Sequence, residues 1–278
     1  MGGTSMVFSR FAALAAVSVA ALSVPASASH SWNGYHWARS GTQITPPVKM
    51  SVTSAWSNYV QTAVADWNQS TVIQSPGPTA VTNDPKRCAA ISGQILVCNA
   101  AYGRRGWLGI ASIWLSSGHI VQGTTKLNDS YYGAGSTYNT PAWRAAVTCQ
   151  EIGHDYGLAH QDEDFSTDAT RSCMEYTSRP EGNEHPDAHD YSQLQAIYAH
   201  ADSTNFGIAT VGQGPASAPR GLSGAIAGDS PAEWGRAVGF DAHGRPNVFE
   251  QDVGNGIRKI THVLWAIGEG PQGRNHHD

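Results

Sequence analysis

Charged side chains are scarce in this sequence of 278 residues. Asp, Glu, Lys and Arg together make up 14% of it, and the formal net charge at pH 7 is −5. This charge balance gives no sign of the basic patch that binds nucleic acid, or of the polybasic segment that binds a membrane surface. We therefore expect neither nucleic acid nor a membrane among the partners of this protein.

Long apolar runs are missing beyond the first 30 residues. The apolar run at residues 11–24 follows a single arginine and leads into the small residues of ASAS. A membrane-spanning helix needs about 20 apolar residues, whereas a shorter run before an A-x-A-like pattern is typical of a cleaved signal peptide. Residues 1–28 are therefore predicted to be a signal peptide, cut after Ala28 or Ser29. The mature protein is expected to be secreted into the extracellular space.

Cysteine is also rare, with four in the chain. In an oxidising compartment we expect two disulfides, and four cysteines allow three pairings. Cys88 and Cys98 flank AAISGQILV, a hairpin-like stretch whose turn at residues 92–93 would bring both ends opposite each other. That pairing leaves Cys149 to bond with Cys173.

The periodicity of residues 30–201 predicts one α+β domain. An apolar stripe favours a first helix in SVTSAWSNYVQTAVADWNQS. The runs TVIQ, WLGIASIWL and HIVQGTTKLN favour strands, the last two joined by a Ser-Ser-Gly turn. A second helix is expected from the N-cap Thr140 to the helix stop Gly157, and a third covers DAHDYSQLQAIYAH.

The composition changes after residue 201. Residues 202–232 are rich in Gly, Ala, Ser and Pro, which predicts a linker or a loose wrap. Residues 233–278 alternate apolar and polar residues around DAHG and VGNG turns, which predicts a C-terminal extension built as a β-meander. Because so few strands are marginally stable alone, we expect the extension to pack on the main domain.

The segment CQEIGHDYGLAH carries the strongest functional signal. Gln150 and His154 are four residues apart on the second helix and share one face, with Glu151 beside them. Gly157 can take a positive φ and end the helix, so that His160 approaches the same point from outside. Side chains that converge in this way next to a carboxylate are typical of a catalytic zinc site with an open position.

The motif QEIGHDYGLAH, followed by SCMEY, resembles the metzincin zinc metalloproteases. The stretches GHIVQGTTKLND and HDYSQL look similar to the matrixin branch, and the resemblance covers roughly residues 30–200. It implies a metzincin-like zincin catalytic domain, in which a mixed twisted sheet carries a zinc helix and a C-terminal helix. It also implies one catalytic Zn²⁺ and hydrolysis of peptide bonds in protein or peptide substrates.

The resemblance assigns a role to each residue that matches the motif. His154 and His160 match zinc ligands, and Glu151 matches the general base. Met174 matches the methionine of a turn that floors the site. Tyr176, two residues later, matches a tyrosine that can touch zinc or the oxyanion. If Met174 lies under the zinc helix, the expected disulfide between residues 149 and 173 would join that floor to the helix.

Two features depart from the family pattern. Gln150 stands where the family has its first histidine ligand. Its amide oxygen reaches about as far as an imidazole nitrogen and is also neutral, so we expect Gln150 to complete the zinc site as a weaker ligand. In addition, residues 30–87 contain no cysteine, so latency through a cysteine-blocked propeptide is not expected.

The sequence therefore predicts a secreted, monomeric zinc endopeptidase that uses Glu-assisted attack of a zinc-bound water. One alternative is a metzincin-fold protein that is catalytically weak or inactive and acts as a secreted binding module. Another is a zinc hydrolase with a different substrate, since a fold does not fix function. The acidic stretch HQDEDF is interpreted as a solvated loop, and Ca²⁺ stays open there without supporting ligand spacing.

Overall fold

A computed structural model describes residues 1–3, 30–167, 170–203, 222 and 224–271. Residues 4–28 of the predicted signal peptide lie outside this part of the chain, as does most of the predicted linker. The strands are β1 (His36–Trp37), β2 (Val48–Ser51), β3 (Thr79–Ala80), β4 (Ile95–Ala100), β5 (Trp107–Ser116), β6 (His119–Asn128), β7 (Arg236–Phe240), β8 (Pro246–Gly254) and β9 (Ile257–Trp265). The helices are α1 (Ser54–Trp67), α2 (Pro141–Asp155), α3 (Ala188–Ile197) and α4 (Pro231–Trp234).

The nine strands form one mixed sheet in the order β3-β2-β4-β6-β5-β9-β8-β7, with β1 paired beside β6. The pairs among β2, β3, β4 and β6 are parallel, whereas β5 is antiparallel to both β6 and β9. The β5–β6 hairpin turns through residues 117 and 118, which both have positive φ. The α+β class and this hairpin are as the sequence predicts.

The helices follow their sequence signals closely. Thr140 caps α2 by accepting a hydrogen bond from the backbone N–H of Trp143, and Pro141 opens the first turn. α2 then packs against β5 and β6 and also against α1. α3 begins with a capping box between Asp187 and Asp190. In the described residues no helix has both the length and the apolar character needed to cross a membrane.

Both disulfides are present, Cys88 with Cys98 and Cys149 with Cys173. The expected hairpin around the first one is wrong, although its turn at residues 92–93 exists. Only the segment after the turn is a strand, and β4 already has β2 on one side and β6 on the other. No sheet edge is therefore left for residues 88–91, and Ala90 pairs instead with residues 224–225. The run TVIQ likewise forms a single bridge rather than a strand.

The C-terminal strands β7, β8 and β9 continue the main sheet, because β9 pairs with β5 along nearly its whole length. Residues 227–234, which precede β7, lie on the face of the sheet opposite α2. Side chains alternate along β6, so that Thr125 contacts α2 while Lys126 points to the other face. There Lys126 donates to the carbonyl of Gly228, and Lys259 of β9 donates to the carbonyl of Ala227.

Candidate metal site

Three buried histidines converge on the α2 face of the sheet. His154 lies at the end of α2, His160 in the loop that follows, and His262 on β9. One ligand nitrogen of each lies within 4.8 Å of the others, and the Nε2 atoms of His154 and His160 are 3.1 Å apart. This group could hold a metal ion, and imidazole nitrogens suit zinc and other transition metals.

Gly157 brings the two histidines of the motif together. It has φ +95°, and a Cβ at this position would overlap the carbonyl oxygen of Tyr35. Only glycine combines this backbone conformation with so close an approach. The chain reverses there, so that His160 returns to the ring of His154. The spacing predicted from the sequence thus places both rings at one point.

His262 is the residue that sequence reasoning missed. The β5–β9 register places it directly opposite Ala111, and the pleat then turns its ring to the α2 face. His262 follows His160 by 102 residues and belongs to no motif. The one available signal was a single polar residue at an inward position of the apolar strand KITHVLW.

Outer contacts orient the rings. Nδ1 of His154 is 2.8 Å from the carbonyl oxygen of Leu158, and Nδ1 of His160 is 2.8 Å from Oε1 of Glu163. The same carboxylate oxygen accepts a hydrogen bond of 3.0 Å from Nδ2 of Asn247. Metal-binding histidines usually donate their second nitrogen to a carbonyl or carboxylate in this way, which directs the lone pair of Nε2 at the ion.

The electrostatic environment shifts the pKa values of His154, His262 and Glu163 in the directions that metal binding needs. Burial lowers the pKa of His154 and of His262 well below the usual range, and neighbouring imidazoles add to the effect. A neutral imidazole has the free lone pair that a metal requires. Burial alone would raise the pKa of Glu163, but the hydrogen bonds from His160 and Asn247 hold it below its usual value.

Glu151 is fully buried and points from α2 toward β5. Room for it exists because Gly109 has no side chain, since a Cβ there would lie 2.6 Å from Oε1 of Glu151. The carboxyl group faces the backbone N–H of Ala111, and this contact favours the charged carboxylate. Neither carboxyl oxygen, however, has a partner of ordinary hydrogen-bond geometry among the described residues. Burial and the nearby Asp155 raise its pKa well above the usual range. Because Ala111 is opposite His262, the two side chains approach the same part of β5.

Tyr176 also reaches the cluster. Its hydroxyl lies 3.3 Å from Nε2 of His262 and accepts a 3.1 Å hydrogen bond from Asn247. Burial, with the nearby Glu163 carboxylate, raises the pKa of Tyr176 well above its usual value, so the phenol stays protonated. Tyr176 can therefore donate a hydrogen bond within the site.

The predicted floor residue Met174 lies beneath the zinc-helix motif. Its sulfur contacts Gly153, where a Cβ would overlap it. The disulfide between Cys149 and Cys173 joins this segment to α2 immediately before the methionine. The segment around Met174 is therefore fixed to the helix that carries His154.

Gln150 is buried beside the same segment. Its Nε2 donates to the carbonyl oxygens of Cys173 at 2.9 Å and Glu175 at 3.2 Å. Its Oε1, the atom that would bind a metal, is buried and has no hydrogen-bond partner among the described residues. The amide therefore connects α2 to the floor, and its role as a ligand stays a prediction.

The segment after the predicted signal peptide closes the site. The backbone N–H of Trp32 donates to the carbonyl of Gly157, and its ring lies 5.4 Å from that of His154 and 6.0 Å from that of His262. The other side of Trp32 lines a surface cavity of about 590 Å³. Val248 and Ile260 line the same cavity, and they are the cross-strand and same-face neighbours of His262. Trp32 thus contacts both a surface cavity and the histidine cluster.

Comparisons of the chain with protein-family models, curated protein sequences and solved structures found no match.

Proposed function

We propose that this protein is a secreted, zinc-dependent endopeptidase with a metzincin-like zincin domain. The observation that carries the proposal is the convergence on one point of three buried imidazoles, two of them held through Nδ1, near α2, the helix that also carries the buried carboxyl group of Glu151. In this proposal His154, His160 and His262 hold the ion. Three protein ligands leave a fourth position for water or substrate, which is the arrangement of catalytic zinc sites.

In this proposal the residues around the cluster share the steps of peptide hydrolysis. A zinc ion bound there would polarise a water molecule and the carbonyl group of the substrate. Glu151 would accept the proton of the water and pass it to the leaving amine. A nearby dication favours the charged carboxylate, which offsets the effect of burial on the pKa of Glu151. Tyr176 would donate its phenolic hydrogen to the developing oxyanion.

Substrate would approach through the cavity that Trp32 borders. The cavity is open on its outer side and is lined by β7, β8 and β9, which include the exposed Phe240 and the half-buried Val248. Arg236 and Glu250 add charged groups to this lining, and polar groups placed among apolar side chains give binding pockets their specificity. Because the indole of Trp32 lies between this space and the imidazoles, turnover requires the ring to move.

The test measures metal content and proteolysis on the same purified chain. We expect about one zinc ion in the histidine cluster and cleavage of a protein substrate that a chelator abolishes and added zinc restores. Glu151→Gln should keep the zinc and lose about 10²–10⁴-fold in kcat, because the proton acceptor is removed without a ligand. The matched control Glu181→Gln changes an exposed carboxylate and should behave as the unsubstituted protein does. Full activity in Glu151→Gln would contradict the proposed mechanism.

A non-catalytic binding module is the second candidate, and the closed site favours it. His154 is fully buried and His160 is 8% exposed, so no ligand position faces solvent directly. A zinc ion enclosed in this way would hold the helix, the loop and β9 together, as structural zinc does. Zinc bound without any turnover of protein substrates, also after Trp32 is made smaller, would support this function over proteolysis.

A further inference from the structure

A second group of metal-ligand side chains lies away from the buried histidine cluster. Nε2 of His36, Nε2 of His200 and Oδ1 of Asp202 form a triangle. Its sides are 3.1 Å between the two nitrogens, 3.5 Å from His36 to Asp202, and 3.3 Å from His200 to Asp202. Nε2 of His119 lies 3.1 Å from the same carboxylate oxygen.

The fold brings these residues together from three distant segments. β1 pairs in parallel with the start of β6, which places His36 directly beside His119. The chain that follows α3 returns to β1, where the backbone N–H of Asp202 donates to the carbonyl of Arg39. In return the backbone N–H of Arg39 donates to Oδ2 of Asp202 at 2.7 Å. The side chain of Asp202 is 9% exposed, so one oxygen is fixed and the other faces the imidazoles.

The ring of His36 is oriented for a lone pair on Nε2. Its Nδ1 is 2.7 Å from the carbonyl oxygen of Gly34, which can only accept, so Nδ1 carries the hydrogen. In the neutral ring Nε2 then has no hydrogen to donate to Asp202. A lone pair facing a carboxylate oxygen at 3.5 Å is unfavourable, and either a proton on Nε2 or a metal ion bound between the two atoms would remove the repulsion.

The dimensions of the triangle suit a tetrahedral ion. Zinc binds imidazole nitrogen and carboxylate oxygen at about 2.0–2.1 Å, which places neighbouring ligand atoms of a tetrahedron about 3.4 Å apart. The three measured sides, 3.1, 3.3 and 3.5 Å, are close to this separation. Two imidazoles and a carboxylate are also donors that favour zinc-class ions over Ca²⁺ or Mg²⁺.

We propose that His36, His200 and Asp202 form a second site for a divalent zinc-class cation, independent of the buried cluster. His119 contacts the same carboxylate oxygen and helps to hold it in place. The bound ion would join the N-terminal segment to the chain after α3. The N-terminal segment carries Trp32 four residues before His36. The second ion would therefore also stabilise the part of the chain that closes the buried cluster.

The test compares zinc stoichiometry between variants by equilibrium dialysis of the purified full chain, with Ca²⁺ as a parallel probe. We expect one zinc ion fewer per chain in His200→Ala than in the unsubstituted protein, and at least a tenfold loss of affinity at this site in Asp202→Asn. His200 is 55% exposed on its side chain, so its removal should leave the fold intact, which a thermal melt without metal checks. His185→Ala is the matched control, because that exposed histidine contacts a single carboxylate, Asp66.

The experiment measures a difference of one zinc ion per chain between the unsubstituted protein and His200→Ala. Its outcome therefore does not depend on whether the buried cluster binds zinc. If the buried cluster binds no zinc, the expected numbers become one ion in the unsubstituted protein and none in His200→Ala. Equal zinc content in His200→Ala, His185→Ala and the unsubstituted protein would show a hydrogen-bonded histidine–carboxylate cluster only, and would overturn the proposal. Equal affinity for Ca²⁺ and zinc would overturn the assigned ion class.

Discussion

The two histidine clusters use similar donors in opposite surroundings. The side chains of His154 and His262 are almost completely buried, whereas that of His200 is 55% exposed. In each cluster one imidazole is held through Nδ1 by a backbone carbonyl, that of Leu158 in the first and that of Gly34 in the second. In both clusters a hydrogen bond from Nδ1 to a backbone carbonyl therefore fixes the orientation of one ring.

The difference lies in what encloses the donors. α2, β9 and Trp32 enclose the first cluster, so burial lowers the pKa of His154 and of His262, and an ion bound there would exchange slowly. The second cluster opens to solvent on the side of His200, so an ion there can exchange freely. Burial thus suits the first cluster to a catalytic or a structural metal site. Exposure suits the second cluster to an ion that binds reversibly and links two segments of the chain.

The largest expected effect concerns His262, the third proposed ligand of the buried cluster. His262→Ala should weaken zinc binding there by more than about 100-fold, since even outer contacts of metal ligands are worth 10–100-fold. Gln150→Ala should change that affinity less than tenfold. It should instead lower the free energy of unfolding by about 1–3 kcal/mol, because the carbonyls of Cys173 and Glu175 lose their donor.

Competition titration with a chromophoric chelator and urea unfolding measure the two quantities. The reverse result, in which Gln150→Ala loses the ion and His262→Ala retains it, would restore the sequence-based ligand set. It would also show that His262 is a buried residue of β9 that does not bind the metal.

A smaller effect is expected from the carboxylate that orients His160. Glu163→Ala should lower zinc affinity of the buried cluster by about 10–100-fold, because the ring loses its hydrogen-bond acceptor at Nδ1. Asp164→Ala is the matched control in the same loop, since Asp164 contacts Ser166 and, at 3.9 Å, His243, neither of which belongs to the buried cluster. Isothermal titration with zinc measures both variants. Equal affinities for the two would show that Glu163 has no part in orienting the ligand.

The sequence predicted the part of the site that is local along the chain. A capped helix, a glycine with positive φ and the histidine spacing define the positions of His154 and His160 within twenty residues. Both disulfide pairings could also be predicted from the sequence. The prediction of the first one relied on a hairpin that does not form, because β2 and β6 occupy both edges of β4. Local patterns determine local geometry, because helix and turn conformations depend on neighbours in sequence.

The remaining parts depend on strand order, which no local pattern encodes. His262 reaches the cluster because β9 occupies the edge of β5 in one particular register. A shift by one residue would turn its ring to the face that Lys259 occupies. The second cluster likewise requires β1 beside β6 and the return of the chain after α3. Long-range pairing of this kind leaves only isolated polar residues as signals in the sequence.

The smallest expected effect tests what separates the two clusters, namely the enclosure by Trp32. Trp32→Leu removes the indole that lies against His154 and His262 while it keeps an apolar side chain in place. A chelator should then remove zinc from the buried cluster up to about tenfold faster, which corresponds to ~1.4 kcal/mol less free energy of opening. The equilibrium affinity should change little, because no ligand is altered. Tyr35→Leu, which lines the same cavity without a ring contact to the histidines, is the control. Stopped-flow mixing with a chelator measures the rate, and identical rates in both variants would show that Trp32 does not control access to the metal.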